Sequence, residues 1–518
     1  MPEASTPTID RLVRSRAAEF GGKPMVIDPG YRITYDQLDT ATRELAAVFV
    51  QAGVGKGTRV GLIMPNNTRW VLIAIALTRI GAVLVPLSTL LRAGELVAQL
   101  RVAAVQFLVS VDEFRGHRYL DDVAAVRSEL PALQQVWPTE QLDAAAAGAR
   151  AGQIVDAMTQ TVTPADPLVI MFTSGSSGTP KGVWHSHGSA LGAVQSGLAA
   201  RCIDADSRLY LPMPFFWVGG FGSGILSALL AGATLVTEEI PRPETTLRLL
   251  ESERVTLFRG WPDQAETLAR HAGTVGADLS ALRPGSLQAL LPPEQRARPG
   301  ARATLFGMTE AFGPYSGYPA DTDMPVSARG SCGKPFDGME VRIVDPDTGA
   351  PVGAGTAGII QIRGPHTLRG MCGRSREELF TVDGFYPTGD LGHLDDAGFL
   401  FYHGRADDMF KVSGATVYPS EVERALRTID GVDGAVVTNV PGATGDRVGA
   451  AVVCRELTAA QLRAAARNLL SSFKVPSVWL VLRSDDDLPR GVTGKVDVRR
   501  LRELLADADR RQETRVQG

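Results

Sequence analysis

Short apolar runs alternating with amphipathic stretches set the rhythm of the first hundred residues. RVGLIMPN (Arg59–Asn66) is an apolar run stopped by Pro and Asn, and an amphipathic segment follows it through Arg79. AVLVPLS (Ala82–Ser88), a helical stretch near Glu95–Val102 and QFLVS (Gln106–Ser110) continue the alternation. Strand and helix periods exchanged over short connections predict a mostly parallel sheet covered by helices. A second series runs through LYLPMPFFWVGGFG (Leu209–Gly222) and ATLVTE (Ala233–Glu238) to VTLFRGWP (Val255–Pro262). From Gly338 the pattern changes. MEVRIVD, GIIQIRG and GFLFYHG are β-rich and punctuated by Gly and Asp, which predicts a small barrel or a distorted antiparallel sheet. AVVTNVPG, GAAVVCRE and a helix over Ala459–Leu470 predict a compact α+β terminal unit. GRADD (Gly404–Asp408), charged and poor in apolar residues, marks the junction. The expected fold class is α/β. A large N-terminal lobe, residues 1–404, divides into mixed, mostly parallel sheets with helices over 1–335 and a β-rich subdomain over 336–404. A junction at 405–408 leads to a small α+β domain over 409–518.

Composition narrows the function classes. With 518 residues, 44% hydrophobic and 21% charged, the chain reads as an ordinary globular protein of more than one domain. Lys plus Arg number 53 against 57 Asp plus Glu, so no positive excess argues for nucleic acid or anionic lipid. The longest apolar run, Trp70–Leu77, has eight residues, too short for a membrane span. MPEASTPTIDRLVRSRAAEF has no apolar signal core, and a soluble cytoplasmic protein is expected. Cys202, Cys332, Cys372 and Cys454 are dispersed without CxxC spacing and read as reduced structural thiols. His185 and His187 in VWHSHG read as helix entry or packing residues rather than metal ligands.

One stretch carries chemistry on its face. TSGSSGTPKGV (Thr173–Val183) follows the apolar run PLVIMF and offers Thr173, Ser174, Gly175, Ser176, Ser177, Gly178, Thr179 and Lys181. Glycines let backbone N–H groups approach phosphate oxygens, hydroxyls add donors, and lysine supplies a point charge. The spacing differs from GxxxxGK[ST], since Gly182 follows Lys181. Four further blocks follow in order: FGMTE (Phe306–Glu310), YPTGD (Tyr386–Asp390), GRADDMFKVSGATVYPSEVE (Gly404–Glu423) and PRGVTGK (Pro489–Lys495). Asp390, at a tight turn, is suited to accept both hydroxyls of a ribose.

These five blocks, in this order, resemble the core motifs of the acyl-adenylate-forming superfamily of acyl-CoA synthetases, peptide-synthetase adenylation domains and luciferases. The resemblance runs from Phe20–Asp28 to the Arg499 region. It implies that residues 173–181 hold the triphosphate of ATP, that Thr309 contacts the α-phosphate and that Glu310 helps to bind Mg²⁺. It also implies that Phe306, with Gly307 and Met308, lies beside the adenine, Asp390 holds the ribose, and Arg405 contacts ribose or phosphate. Asp407 matches the hinge on which a mobile C-terminal domain swings between half-reactions. Lys495 is implied to bridge carboxylate and α-phosphate oxygens during adenylation. Lys411, Ser413 and Gly414 match the loop facing the site in the second conformation, where a glycine leaves room for the pantetheine arm of CoA.

Two departures from the family pattern stand out. Trp217 occupies a slot where many relatives have histidine, and Phe215, Phe216, Trp217 and Phe221 with Gly219 and Gly220 suggest an aromatic wall for an acyl pocket. Between Arg283 and Leu305 the segment is shorter than the usual adenine-contacting turn, leaving the Ser286–Ala289 contacts open. The expected activity is ATP-dependent activation of a carboxylic acid with release of pyrophosphate, then transfer to CoA. Thr309, Glu310 and Lys495 are the catalytic residues. The alternative keeps adenylation and changes the acceptor: a carrier protein is loaded, or an oxyanion such as nitrite is activated for attack by an aromatic amine. Expected partners are a small-molecule acid, ATP with Mg²⁺, and CoA or a carrier protein, with a homodimer left open. No nucleic acid and no membrane span are expected.

Overall fold

The computed structural model describes residues 7–143, 147–173, 180–408, 410–412, 415–442, 445–490 and 496–516. The chain forms two compact units. The first gathers residues 1–341, 362–386 and 398–400, and the second gathers 342–361, 387–397 and 401–518. The stretch 336–404, expected to stand as one β-rich piece, is thus shared between the two.

In the first unit, a seven-stranded sheet runs in the order Gly370–Met371, Lys181–Ser186, Pro167–Thr173, Val83–Leu87, Arg59–Ile63, Phe107–Ser110, Gln135–Pro138. The five strands from Pro167–Thr173 to Gln135–Pro138 are parallel, and the other two pair antiparallel at one edge. A five-stranded sheet has the order Leu257–Phe258, Arg208–Tyr210, Thr234–Val236, Pro24–Ile27, Arg32–Thr34, parallel except for its last pair. The alternating α/β expectation holds for this unit.

One local expectation changes. Helix Thr68–Arg79, capped by the Asn67 side chain accepting from Trp70 N at 2.9 Å, is buried on nearly every face rather than amphipathic. Its apolar residues share one core with Leu209, Phe221 and Leu235 of the five-stranded sheet, so it has almost no solvent side. Arg79 at its end is fully buried and bonded to Asp10 and Asp39 at 2.7 and 2.8 Å. Within the run Leu209–Gly222, strand geometry ends at Tyr210. Pro212 and Pro214 lack the N–H a ladder needs, and from Gly219 the chain winds as a π-helix through Leu226. Gly220 is required there, because a Cβ would lie 2.1 Å from the Pro214 carbonyl oxygen.

A four-stranded sheet has the order Glu340–Val344, Gly358–Arg363, Tyr386–Leu394, Leu400–Arg405, and most of its residues fall in the second unit. That unit also holds the antiparallel strands Val432–Gly442 and Gly445–Cys454, with Val478–Leu482 parallel to the latter. Helices Pro419–Leu426 and Ala459–Leu469 close over them through a core of Val422, Leu426, Val452, Leu462 and Trp479. This is the α+β arrangement expected for the chain's end. Among the described residues, no helix is long and apolar enough to cross a membrane.

Candidate active site

The glycine-rich stretch grows from an antiparallel pair. Thr173, last residue of Pro167–Thr173, is in register with Lys181, first residue of Lys181–Ser186. Ser174, Gly175, Ser176, Ser177, Gly178 and Thr179 lie outside the described residues, but both flanks sit opposite each other on rigid strands. The second strand also carries His185, whose Nε2 is 2.8 Å from the Thr309 carbonyl oxygen. A carbonyl only accepts, so Nε2 carries the proton, and Nδ1 faces the Ser189 hydroxyl at 3.4 Å. Burial lowers the His185 pKa to about 4, with the Thr309 bond opposing, so the ring is neutral at pH 7. Its edge rests on Phe312 at 5.0 Å between centroids. The helix-entry and packing account of the two histidines fits: His187 opens helix His187–Ser196, and its Nδ1 accepts from Ile9 N at 3.3 Å.

The FGMTE block is one arm of a hairpin. Phe306–Met308 pairs with Gly313–Gly317, and Gly307 comes so close that a Cβ would lie 2.1 Å from the Gly313 carbonyl oxygen. The Phe306 ring meets Tyr315 edge-on at 5.5 Å. Thr309–Ala311 is a single tight turn, closed by Phe312 in the left-handed region at φ 54°. Glu310 is 8% exposed; its Oε1 accepts from the Tyr386 hydroxyl at 3.2 Å, and its carbonyl accepts from Leu368 N at 2.7 Å. Thr309 is therefore held through its backbone by the strand that leaves the glycine-rich stretch. The turn tolerates little movement.

In the second unit, Asp390 and Arg405 are brought together. An Arg405 Nη1–H donates to Asp390 Oδ1 at 3.2 Å and to the Thr388 carbonyl at 2.8 Å. The Thr388 hydroxyl accepts from Asp390 N at 3.0 Å and donates to the Ile360 carbonyl at 2.8 Å. Gly389 takes φ 73°, and a Cβ there would approach Arg405 Nη2 to 2.7 Å. The glycine of YPTGD thus serves both the turn and the guanidinium's approach. Asp407 lies in the turn Ala406–Asp408, and Lys411 in the backbone of strand Phe410–Val412. Ser413, Gly414 and Lys495 lie outside the described residues, although Arg490 and Val496 are bridged antiparallel on either side of 491–495.

The expected aromatic wall divides. Phe215 and Phe221 are fully buried and pack on Trp70 at 5.4 and 5.8 Å, as core residues. Phe216 meets Trp217 edge-on at 5.5 Å, and half-buried Trp217 meets Trp261 edge-on at 5.9 Å. Asn66 clamps this segment: its Oδ1 accepts from Phe215 N at 2.8 Å and its Nδ2–H donates to the Met213 carbonyl at 2.9 Å. Gly219 backs onto Met213, where a Cβ would lie 2.5 Å from the sulfur. Sequence reasoning missed both Asn66 and Trp261, because each reaches the segment from an element distant in sequence. In the shortened stretch, buried Ser286 accepts from Phe258 N at 3.1 Å through its hydroxyl and so extends the sheet edge.

The AMP-binding enzyme family matches residues 13–371 of this chain. The chain belongs to that family of adenylate-forming enzymes. One relative, a 3-[(3aS,4S,7aS)-7a-methyl-1,5-dioxo-octahydro-1H-inden-4-yl]propanoyl:CoA ligase of Mycobacterium tuberculosis, is 34% identical over 96% of this chain and 98% of its own length. An indoleacetate–CoA ligase of Aromatoleum aromaticum is 30% identical over 94% of this chain and 96% of its own. An anthranilate CoA ligase solved with anthranoyl-AMP superposes with a TM-score of 0.79 at 22% identity, covering 97% of this chain and 98% of that one.

Proposed function

We propose that this protein couples a carboxylic acid to coenzyme A in two steps. In the first, a carboxylate oxygen attacks the α-phosphorus of ATP, the bond to the β-phosphate oxygen breaks, and pyrophosphate leaves. In the second, the CoA thiolate attacks the acyl carbon, a C–S bond forms, and AMP departs with the C–O electron pair. The protein is an AMP-forming acid–CoA ligase. The observation that carries the reading is the strand Lys181–Ser186, which joins the flank of the glycine-rich stretch to the Thr309 turn through His185. Groups for the triphosphate and for the α-phosphate are thereby tied to one rigid element, as in-line displacement needs.

Thr309 and the glycine-rich stretch orient the phosphates, and Lys495 supplies the cation for charge that develops in the first transition state. Asp390 takes the ribose hydroxyls and Arg405 steadies that carboxylate. Asp407 is the hinge between the two half-reactions, separating 1–404 from the mobile 409–518, and Lys411, Ser413 and Gly414 serve the thiol step. Mg²⁺ fits Glu310: the ion uses one or two protein carboxylates and takes its remaining oxygens from phosphate and water. When bound it offsets triphosphate charge. The acid carries a ring system, as in several relatives whose acids are indane-, indole- or benzoate-based, and the Trp217–Trp261 pair offers flat apolar walls for it. The cytoplasm, where ATP and CoA are abundant, is its place of action.

The relatives named as CoA ligases favour CoA over a carrier protein or an amine as acceptor. The test is pyrophosphate release and thioester formation over a panel of ring-bearing, fatty and small inorganic acids, with and without CoA. Acid-dependent pyrophosphate release followed by a CoA thioester is expected. Adenylation without any thioester in the presence of CoA would return the carrier-protein or amine acceptor.

A further inference from the structure

Two arginines in the interior of the first unit have no carboxylate partner among the described residues. Arg201 is 4% exposed and donates only to main-chain carbonyls, Nε–H to Gly197 at 3.0 Å and Nη2–H to Val194 at 2.7 Å. Arg259 donates from Nη1 to the Gly285 carbonyl at 2.7 Å, and against the burial that lowers its pKa the nearby Cys202 thiol raises it. Burial first, then Arg259, lowers the Arg201 pKa to about 9, and burial lowers that of Arg259 too. An interior cation without a counter-charge is costly, and a guanidinium does not readily shed its proton.

Arg259 differs from Arg201 in one respect: it is half-buried, whereas Arg201 is buried. Its position explains the difference. Leu257 faces the inter-sheet core with Leu209, Phe215 and Phe221, whereas Phe258 faces Tyr210 and Ala265 on the other side. Strand alternation puts Arg259 on the Leu257 side, at the carboxyl end of a parallel strand. Open α/β sheets bind ligands at such ends. Two residues on stands Trp261, edge-on to Trp217.

We propose that Arg259 selects the acid by binding an oxygen acceptor, a ketone or a second carboxylate, carried on the end of the molecule remote from the reacting carboxylate. The proposal rests on the ligase reading above. The reacting carboxylate belongs with Thr309 and the glycine-rich stretch, anchored on the seven-stranded sheet, whereas Arg259 projects from the five-stranded one. Five N–H donors in a planar fork, of which one bond to Gly285 is made, suit an oxygen ligand better than an apolar ring edge.

The test uses the full-length enzyme and three acids on one ring skeleton, bearing a remote ketone, a remote carboxylate or a methylene. ATP–pyrophosphate exchange kcat/KM is measured for wild type, Arg259→Leu and Arg259→Lys, with KM for ATP and thermal melting alongside. Wild type should prefer the two oxygen-bearing acids. Arg259→Leu should lose about 10–100-fold on the acids it prefers and little on the methylene acid, with the ATP KM unchanged, and Lys should restore part of the carboxylate preference. An equal loss on all three acids would overturn the proposal, since it would place Arg259 at the reacting carboxylate or in general support. Wild type ranking the methylene acid first would overturn it whatever the variants' stability. No exchange with any acid would instead bring down the ligase reading itself.

Discussion

The turn Thr309–Glu310 and the segment from Pro212 to Gly222 stand at opposite ends of one problem. The turn is short and its partners are strong. A glycine against a carbonyl, a buried histidine on its main chain and a tyrosine hydroxyl on its carboxylate hold it to one geometry. The aromatic segment has prolines, a π-helix and two clamping bonds from Asn66, and its half-buried indole meets Trp261 from another element. The first region carries the residues proposed above for ATP, a ligand that stays the same whatever the acid. The second is the segment proposed above for the acid, and the acids named for relatives differ. Under that proposal the tightly bonded turn serves the constant ligand, and the segment for the variable one is built from side chains gathered across the chain.

The sharpest break of this contrast is Lys495→Ala. Loss of a cation that acts only in the first transition state should slow adenylation by about 10²–10³, while transfer from a preformed acyl-adenylate to CoA continues. Equal slowing of both half-reactions would remove Lys495 from the nucleotide side. A second test loads the rigid region through pH. His185 and His187 are held near pKa 4 by burial, below the ordinary 6.5, so between those values the unfolded chain binds more protons. Stability from the pair is complete above about pH 6.5 and falls as pH drops toward 4. The slope approaches about 1.4 kcal/mol per pH unit for each histidine well below pH 6.5, and the pair loses roughly 2 kcal/mol between pH 6.5 and 5.5. Urea melts over that range should show it, and His185→Leu should flatten the slope; an unchanged slope would mean that the ring is not buried neutral.

On the acyl side, Trp217→Ala should weaken the native acid by roughly 1–3 kcal/mol and admit bulkier ones, with the KM for ATP little changed. Exchange rates over an acid panel read this directly, and a large ATP defect with an unchanged acid ranking would make Trp217 a packing residue. Asn66→Ala removes both clamps and leaves Phe215 N and the Met213 carbonyl unanswered, at a cost of about 1–2 kcal/mol. The expected signature is a lowered melting temperature together with a blurred acid preference. A loss of stability with the preference intact would confine Asn66 to structure.

How much was legible follows the same line. Strands Arg59–Ile63, Val83–Leu87 and Phe107–Ser110 were readable because each is a short apolar run between breakers, a local property. The motif blocks were readable because phosphate and ribose chemistry needs glycines, hydroxyls and charges at short fixed spacings. Thr68–Arg79 was misread as amphipathic because burial on both sides depends on a second sheet formed far along the chain. The π-helix that starts within Leu209–Gly222 was not legible, because it depends on the close approach of Gly220 to the Pro214 carbonyl.

By itself, then, the order of residues determined the nucleotide chemistry, the alternating α/β lobe and the α+β end, since each depends on neighbours in sequence. Only tertiary structure decided which side chains meet across the chain. His185 reaches the Thr309 carbonyl over 124 positions, Asn66 reaches Phe215 over 149, and Arg259 turns its guanidinium to the Gly285 carbonyl. Such meetings depend on how sheets stack and where chains cross. A buried hydrogen bond or an uncompensated charge has meaning only once those surroundings exist.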